Sequence, residues 1–92
     1  MKIAKRFFVE GRVQGVGFRF FVERIASEMG LQGYVRNCDD GRVEVYAIGE
    51  EERLEQLREQ LEIGPRACRV ERVEEQAAAL EHYKTFLIAG SL

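Results

Sequence analysis

Residues 11–19 read Gly-Arg-Val-Gln-Gly-Val-Gly-Phe-Arg, so three of the nine glycines fall in one short stretch that closes on an arginine. Glycine has no Cβ, and amides flanked by glycines can turn inward together. Successive inward amides make a nest for an anion. A helix starting just after such a loop adds its own unpaired N–H groups and the positive end of its dipole. Arg19 would lie in the first turn of that helix, where a cation opposes the dipole. An anion between amides and guanidinium removes that conflict. Phosphate fits, because it offers several oxygens to the amides from Gln14, Gly15, Val16, Gly17 and Phe18 and accepts the planar fork of Arg19. A glycine-rich strand-to-helix connection accounts for the same residues without a ligand, and the residues alone leave both readings open. No G-x-x-x-x-G-K-[ST] loop is present, and Gly15-Val16-Gly17 lacks the third glycine of a dinucleotide fingerprint.

Asn37 is the second candidate. An asparagine just before Asp39-Asp40-Gly41 is ordinary turn chemistry. Its uncharged amide also accepts from and donates to water, so it can fix a water molecule opposite a phosphorus atom. Asp39, Asp40 and Glu44 lack the ligand spacing of a calcium loop and read as a solvated turn with its flank. His82, the only histidine, reads as a surface residue. No metal site and no cofactor are expected. Cys38 and Cys68 carry no recognisable nucleophile motif and are expected to be reduced thiols of a cytoplasmic protein.

These groups need a frame that brings residue 19 to residue 37. Residues 3–10 are rich in β-formers and predict a strand. Phe18, Phe21, Val22, Ile25, Ala26 and Met29 recur at helical spacing, which predicts a helix over 18–29 with Gly30 as its cap. Residues 31–37 and 42–48 predict a hairpin about the Asp-Asp-Gly turn, with Val43, Val45 and Ala47 inward and Glu44 and Tyr46 on the open face. Leu54, Leu57 and Leu61 form the apolar stripe of a second helix over 50–62, ended by Gly64-Pro65. Residues 68–75 predict a weaker strand, because Val70 and Val73 break a two-residue period unless a bulge intervenes. Residues 76–83 read as a connection and 84–89 as a last short strand.

The order is β-α-β-β-α-β plus one strand, the pattern of a ferredoxin-like α+β sandwich with an antiparallel sheet and both helices on one face. A right-handed first crossover makes strands one and two parallel, so their carboxyl ends share a rim. The 92 residues suit one domain, 1–92. Sixteen acidic against fourteen basic residues, a net charge of −2, disfavour a nucleic-acid protein. No apolar run approaches the roughly 20 residues of a membrane helix, and the first ten residues resemble a strand and not a signal peptide.

Together, GRVQGVGFR, GLQGYVRNCDDGRVE at 30–44 and GPRACRV at 64–70 resemble the acylphosphatase family across roughly residues 5–90. That resemblance implies hydrolysis of the carboxyl-phosphate bond of small acyl phosphates to a carboxylate and inorganic phosphate, without a metal. It implies that the loop amides and Arg19 hold the phosphate, and that Asn37 positions the attacking water. Tyr34 stands where many members have tryptophan, and Cys38 where threonine is frequent. The family's strand order also keeps strands two and four three spacings, roughly 14 Å, apart, too far for a Cys38–Cys68 bridge. A monomer is expected, with phosphate or sulfate as a product-like ligand, and no nucleic-acid or membrane partner. Two other readings share the pattern. Domains with this loop, arginine and asparagine occur inside a large hydrogenase-maturation protein that handles carbamoyl phosphate. RNA-recognition motifs share the strand order but stack bases on aromatics of the central strands, where RVEVYAI offers only Tyr46.

Overall fold

The computed structural model describes residues 1–90; Ser91 and Leu92, the end of the expected domain, lie outside the described residues. Seven elements follow in order: β1 (Lys2–Arg12), α1 (Phe18–Glu28), β2 (Gln32–Asn37), β3 (Val43–Glu50), α2 (Glu51–Ile63), β4 (Arg69–Ala78) and β5 (Phe86–Ile88). One sheet has the order β4-β1-β3-β2-β5. β1 and β2 both run antiparallel to β3 and therefore parallel to each other, as the crossover argument expects.

The helices cover one face. Phe18, Val22 and Ala26 of α1 and Leu54, Leu57 and Leu61 of α2 join Phe7, Val9, Val35, Val43, Val45 and Ala47 in one buried cluster. Period-two alternation along β2 puts Val35 and Asn37 on this helix-covered face. Gly30, with φ +73°, ends α1 by taking the left-handed conformation after Met29.

Four features differ from the sequence reading. The sheet is mixed and not purely antiparallel, because β5 pairs parallel with β2. β4 and β5 occupy opposite edges, so residues 79–85 must return across the sheet. They do so on the helix-free face, where Ala79 O accepts from the Tyr46 hydroxyl, which itself accepts from Glu81 N at 2.8 Å. Tyr34 and Tyr46 stack beneath that return at 5.5 Å, and Tyr83 on it tilts against both rings at 5.8 and 5.7 Å. Glu44 and Tyr46 are thus buried, not open; β3 is covered on both faces. β4 also runs on to Ala78, where the expected connection had begun. Its residues Gln76, Ala77 and Ala78 pair with Arg6, Lys5 and Ala4 of β1, a tertiary pairing that overrides alanine's poor strand propensity. The irregular spacing of Val70 and Val73 is a register shift opposite Glu10 and Gly11. That bulge lets both valines face the core.

Candidate active site

Val13 is buried immediately after β1 and anchors the start of the glycine loop. Gly15 and Gly17 then take positive φ values of +73° and +86°. Gly17 is the N-cap of α1 in left-handed conformation, with no side-chain cap and no acidic residue in the first helical turn. Among the described residues no side chain caps the amides that open this helix, and their favourable dipole end can take a ligand. Phe18 drives into the core next to Phe21, fixing where the helix starts. Arg19 is partly exposed and forms no ion pair with a carboxylate among the described residues. Together Val13, Gly15, Gly17, Phe18, Arg19 and Phe20 line a cleft of about 200 Å³.

Gln14 does more than supply an amide. Its Nε2 donates to Cys38 O at 2.8 Å and to Arg42 O at 2.9 Å. The loop after β1 is thereby tied to the residue that follows Asn37. Cys68 meets the loop from the residue just before β4, its thiol 3.7 Å from Val16 O. Sequence reasoning counted Gln14 only through its backbone. An uncharged side chain in a loop of glycines and valines was the available signal, but its partners come from a hairpin distant in sequence.

Asn37 closes β2 opposite Val43. Its Oδ1 is buried and takes no hydrogen bond from any described group. A buried carbonyl left without a donor is uncommon and costly, on the order of 1–3 kcal/mol. It is an unpaired acceptor on the helix-covered face, next to Cys38, whose carbonyl the loop's Gln14 side chain binds.

Behind the hairpin, a charged cluster stiffens it. Glu44 is almost fully buried and accepts from Arg6 Nε at 2.8 Å, Arg36 Nε at 2.7 Å and the Tyr34 hydroxyl at 2.6 Å. Burial alone would raise its carboxyl. The hydrogen bonds from Tyr34 and Arg36 and the charges of both arginines outweigh that and hold it below the usual carboxylate range. Arg36 precedes Asn37, so the pair Arg36–Glu44 fixes the end of β2 against β3.

The remaining candidates carry no activated group. Burial pushes the Cys38 and Cys68 thiols up, away from thiolate, and both are free. His82 is exposed in the return segment. No group of three or more His, Cys, Asp or Glu side chains is placed to hold a metal among the described residues. Tyr46 is fully buried under the return segment, so the face on which RNA-recognition motifs stack bases is covered.

The α+β sandwich thus carries a left-handed glycine loop feeding a helix, an arginine without an ion pair among the described residues, and a buried unsatisfied asparagine, an arrangement suited to binding an anion. The chain matches the acylphosphatase family over residues 5–88. It is 53% identical over 85 residues to an acylphosphatase of Solibacter usitatus, covering 92% of this chain and 88% of that one. Its fold superposes on the acylphosphatase of Bacillus subtilis with a TM-score of 0.91 at 40% identity, over 97% and 99% of the two chains. It also matches part of full-length HypF in a phosphate- and nucleotide-bound form, with a TM-score of 0.92 at 32% identity, over 99% of this chain and 12% of HypF. The chain belongs to the acylphosphatase family, and acylphosphatase activity is its activity.

Proposed function

We propose that the chain hydrolyses small acyl phosphates without a metal, that the amides from Gln14 to Phe18 and the Arg19 guanidinium hold the phosphoryl group, and that Asn37 positions the attacking water. The observation that carries this reading is the buried, unsatisfied Oδ1 of Asn37, one residue before the Cys38 carbonyl to which Gln14 ties the glycine loop. Phosphoryl transfer needs chiefly positioning and stabilisation of charge on the equatorial oxygens. Amides and one guanidinium supply both. The leaving group is a carboxylate, already stable as an anion, so no strong general acid is required. Asn37 accepts a hydrogen bond from the water and so aims its lone pair at phosphorus; attack forms the new P–O bond as the carboxyl-phosphate bond breaks, and both protons of the water stay on the phosphate oxygens. The carboxylate and then inorganic phosphate leave. A single monomeric domain suffices for this chemistry, and the two free thiols suit a cytoplasmic setting.

The test separates the two roles. Asn37→Ala is expected to lower kcat by about 10²-fold, the loss that follows misplacement of a reacting group. Inhibition by inorganic phosphate should weaken far less, because the amides and Arg19 remain. An equal loss in both would contradict a water-positioning role.

A further inference from the structure

Phe20 falls outside the apolar stripe of α1. Phe18, Val22 and Ala26 are buried, and Phe21, Ile25 and Met29 pack against the core. Phe20 is 71% exposed. Of the exposed large apolar side chains Met1, Phe20, Ile63, Leu80 and Leu87, Phe20 alone lines the cleft formed by Gly15, Gly17 and Arg19.

We propose that Phe20 is the acyl-side contact of this site and that it selects acyl phosphates whose acyl group is apolar, aromatic or bulky aliphatic, over acetyl or charged ones. This rests on the reading of the cleft as the phosphate site. Three observations support it. First, the cleft is lined by Val13, Phe18, two glycines, Arg19 and Phe20, with no carboxylate and no side-chain amide. Beyond the guanidinium it offers an acyl group only backbone and carbon surface. Second, about 200 Å³ is below the roughly 300–1,000 Å³ that encloses a drug-sized ligand. A cleft of that size does not enclose an acyl phosphate with a bulky acyl group, so part of that group lies at the rim. Third, Arg19 and Phe20 line the same cleft. A phosphate held by Arg19 there has its substituent in the space that Phe20 borders. Burying part of an exposed aromatic ring against an apolar acyl group is favourable, whereas an acetyl methyl covers little of it.

The experiment compares kcat/KM for benzoyl phosphate and acetyl phosphate in the wild type and in Phe20→Ser. The ratio of the two values is expected to fall about tenfold, or about 1.4 kcal/mol. Phe20→Leu keeps apolar area and should restore most of the ratio. A structural effect of the substitution lowers both substrates by one factor and leaves the ratio unchanged, and that result would overturn the proposal. Arg19→Ala, run in parallel, tests the underlying site separately. Turnover retained there would show that the cleft is not the phosphate site, and the role of Phe20 would fall with it.

Discussion

Replacing Gln14 with leucine tests whether the glycine loop must be tied to the hairpin. The side chain makes two neutral hydrogen bonds, to Cys38 O and Arg42 O. Each such bond contributes roughly 0.5–1.5 kcal/mol net. Neither carbonyl is orphaned by the change: Cys38 O still accepts from Gly41 N at 3.2 Å, and Arg42 O from Cys38 N at 2.8 Å. The stability loss should therefore stay at about 2 kcal/mol, two such bonds with no added penalty for an orphaned acceptor. For a domain of this size that lowers Tm by about 5–15 °C, well short of unfolding at 25 °C. Catalysis should suffer more. With the tie gone, the amides proposed to hold the phosphoryl group and the asparagine proposed to hold water are set by two separate segments. A displacement of about 1 Å costs up to about 10²-fold. Steady-state kinetics on benzoyl phosphate at 25 °C, with urea titration of both proteins, is the assay. The expected result is a fall of about 10- to 100-fold in kcat with folding intact. A variant that loses the stability but keeps its kcat would refute the reasoning, because loop registration would then not depend on Gln14.

Two further outcomes concern the scaffold. Glu44→Gln leaves Arg6 and Arg36 facing a neutral amide and should cost about 3 kcal/mol by urea titration, the low end for breaking a buried pair because both arginines are partly exposed. Because the Glu44 carboxyl lies below its ordinary value in the fold, its contribution is present above the unfolded carboxylate pKa near 4.5 and is lost as pH falls through the folded one. Wild type should thus lose stability on acidification below about pH 4.5, and the variant should lose less over the same range; parallel acid profiles would exclude Glu44 as the cause. Gly33→Ala should abolish soluble expression or reduce Tm steeply, since Gly33 has φ +137° and an added Cβ would overlap the backbone carbonyl of Tyr46. A folded variant with near-normal Tm would contradict that packing.

Local signals carried most of the site. The glycines at 15 and 17 are needed for positive φ, which is a property of single residues, and the helical stripe from Phe18 to Met29 announces where α1 begins. Arg19 stood out because its charge opposes the helix it starts. Asn37 was visible as a strand terminus, but its buried Oδ1 depends on the loop and helix that cover it. The helix-free face was misread for a different reason. Glu44 and Tyr46 look like an open face in β3 itself, and only the return from β4 to the far edge, with Tyr83 on it, covers them. That return also makes β5 parallel to β2, which no pattern within Phe86–Ile88 encodes. The side chain of Gln14 was missed likewise, since its partners lie more than twenty residues away.

The most direct measurement is hydrolysis of benzoyl phosphate by the wild-type protein and by Arg19→Ala, both in EDTA. Wild-type turnover that EDTA leaves intact and that falls at least 10²- to 10³-fold in the variant is expected, the cost of removing a preorganised donor. Turnover that EDTA abolishes in the wild type, or that Arg19→Ala retains, would contradict a metal-free site built on this loop and this guanidinium.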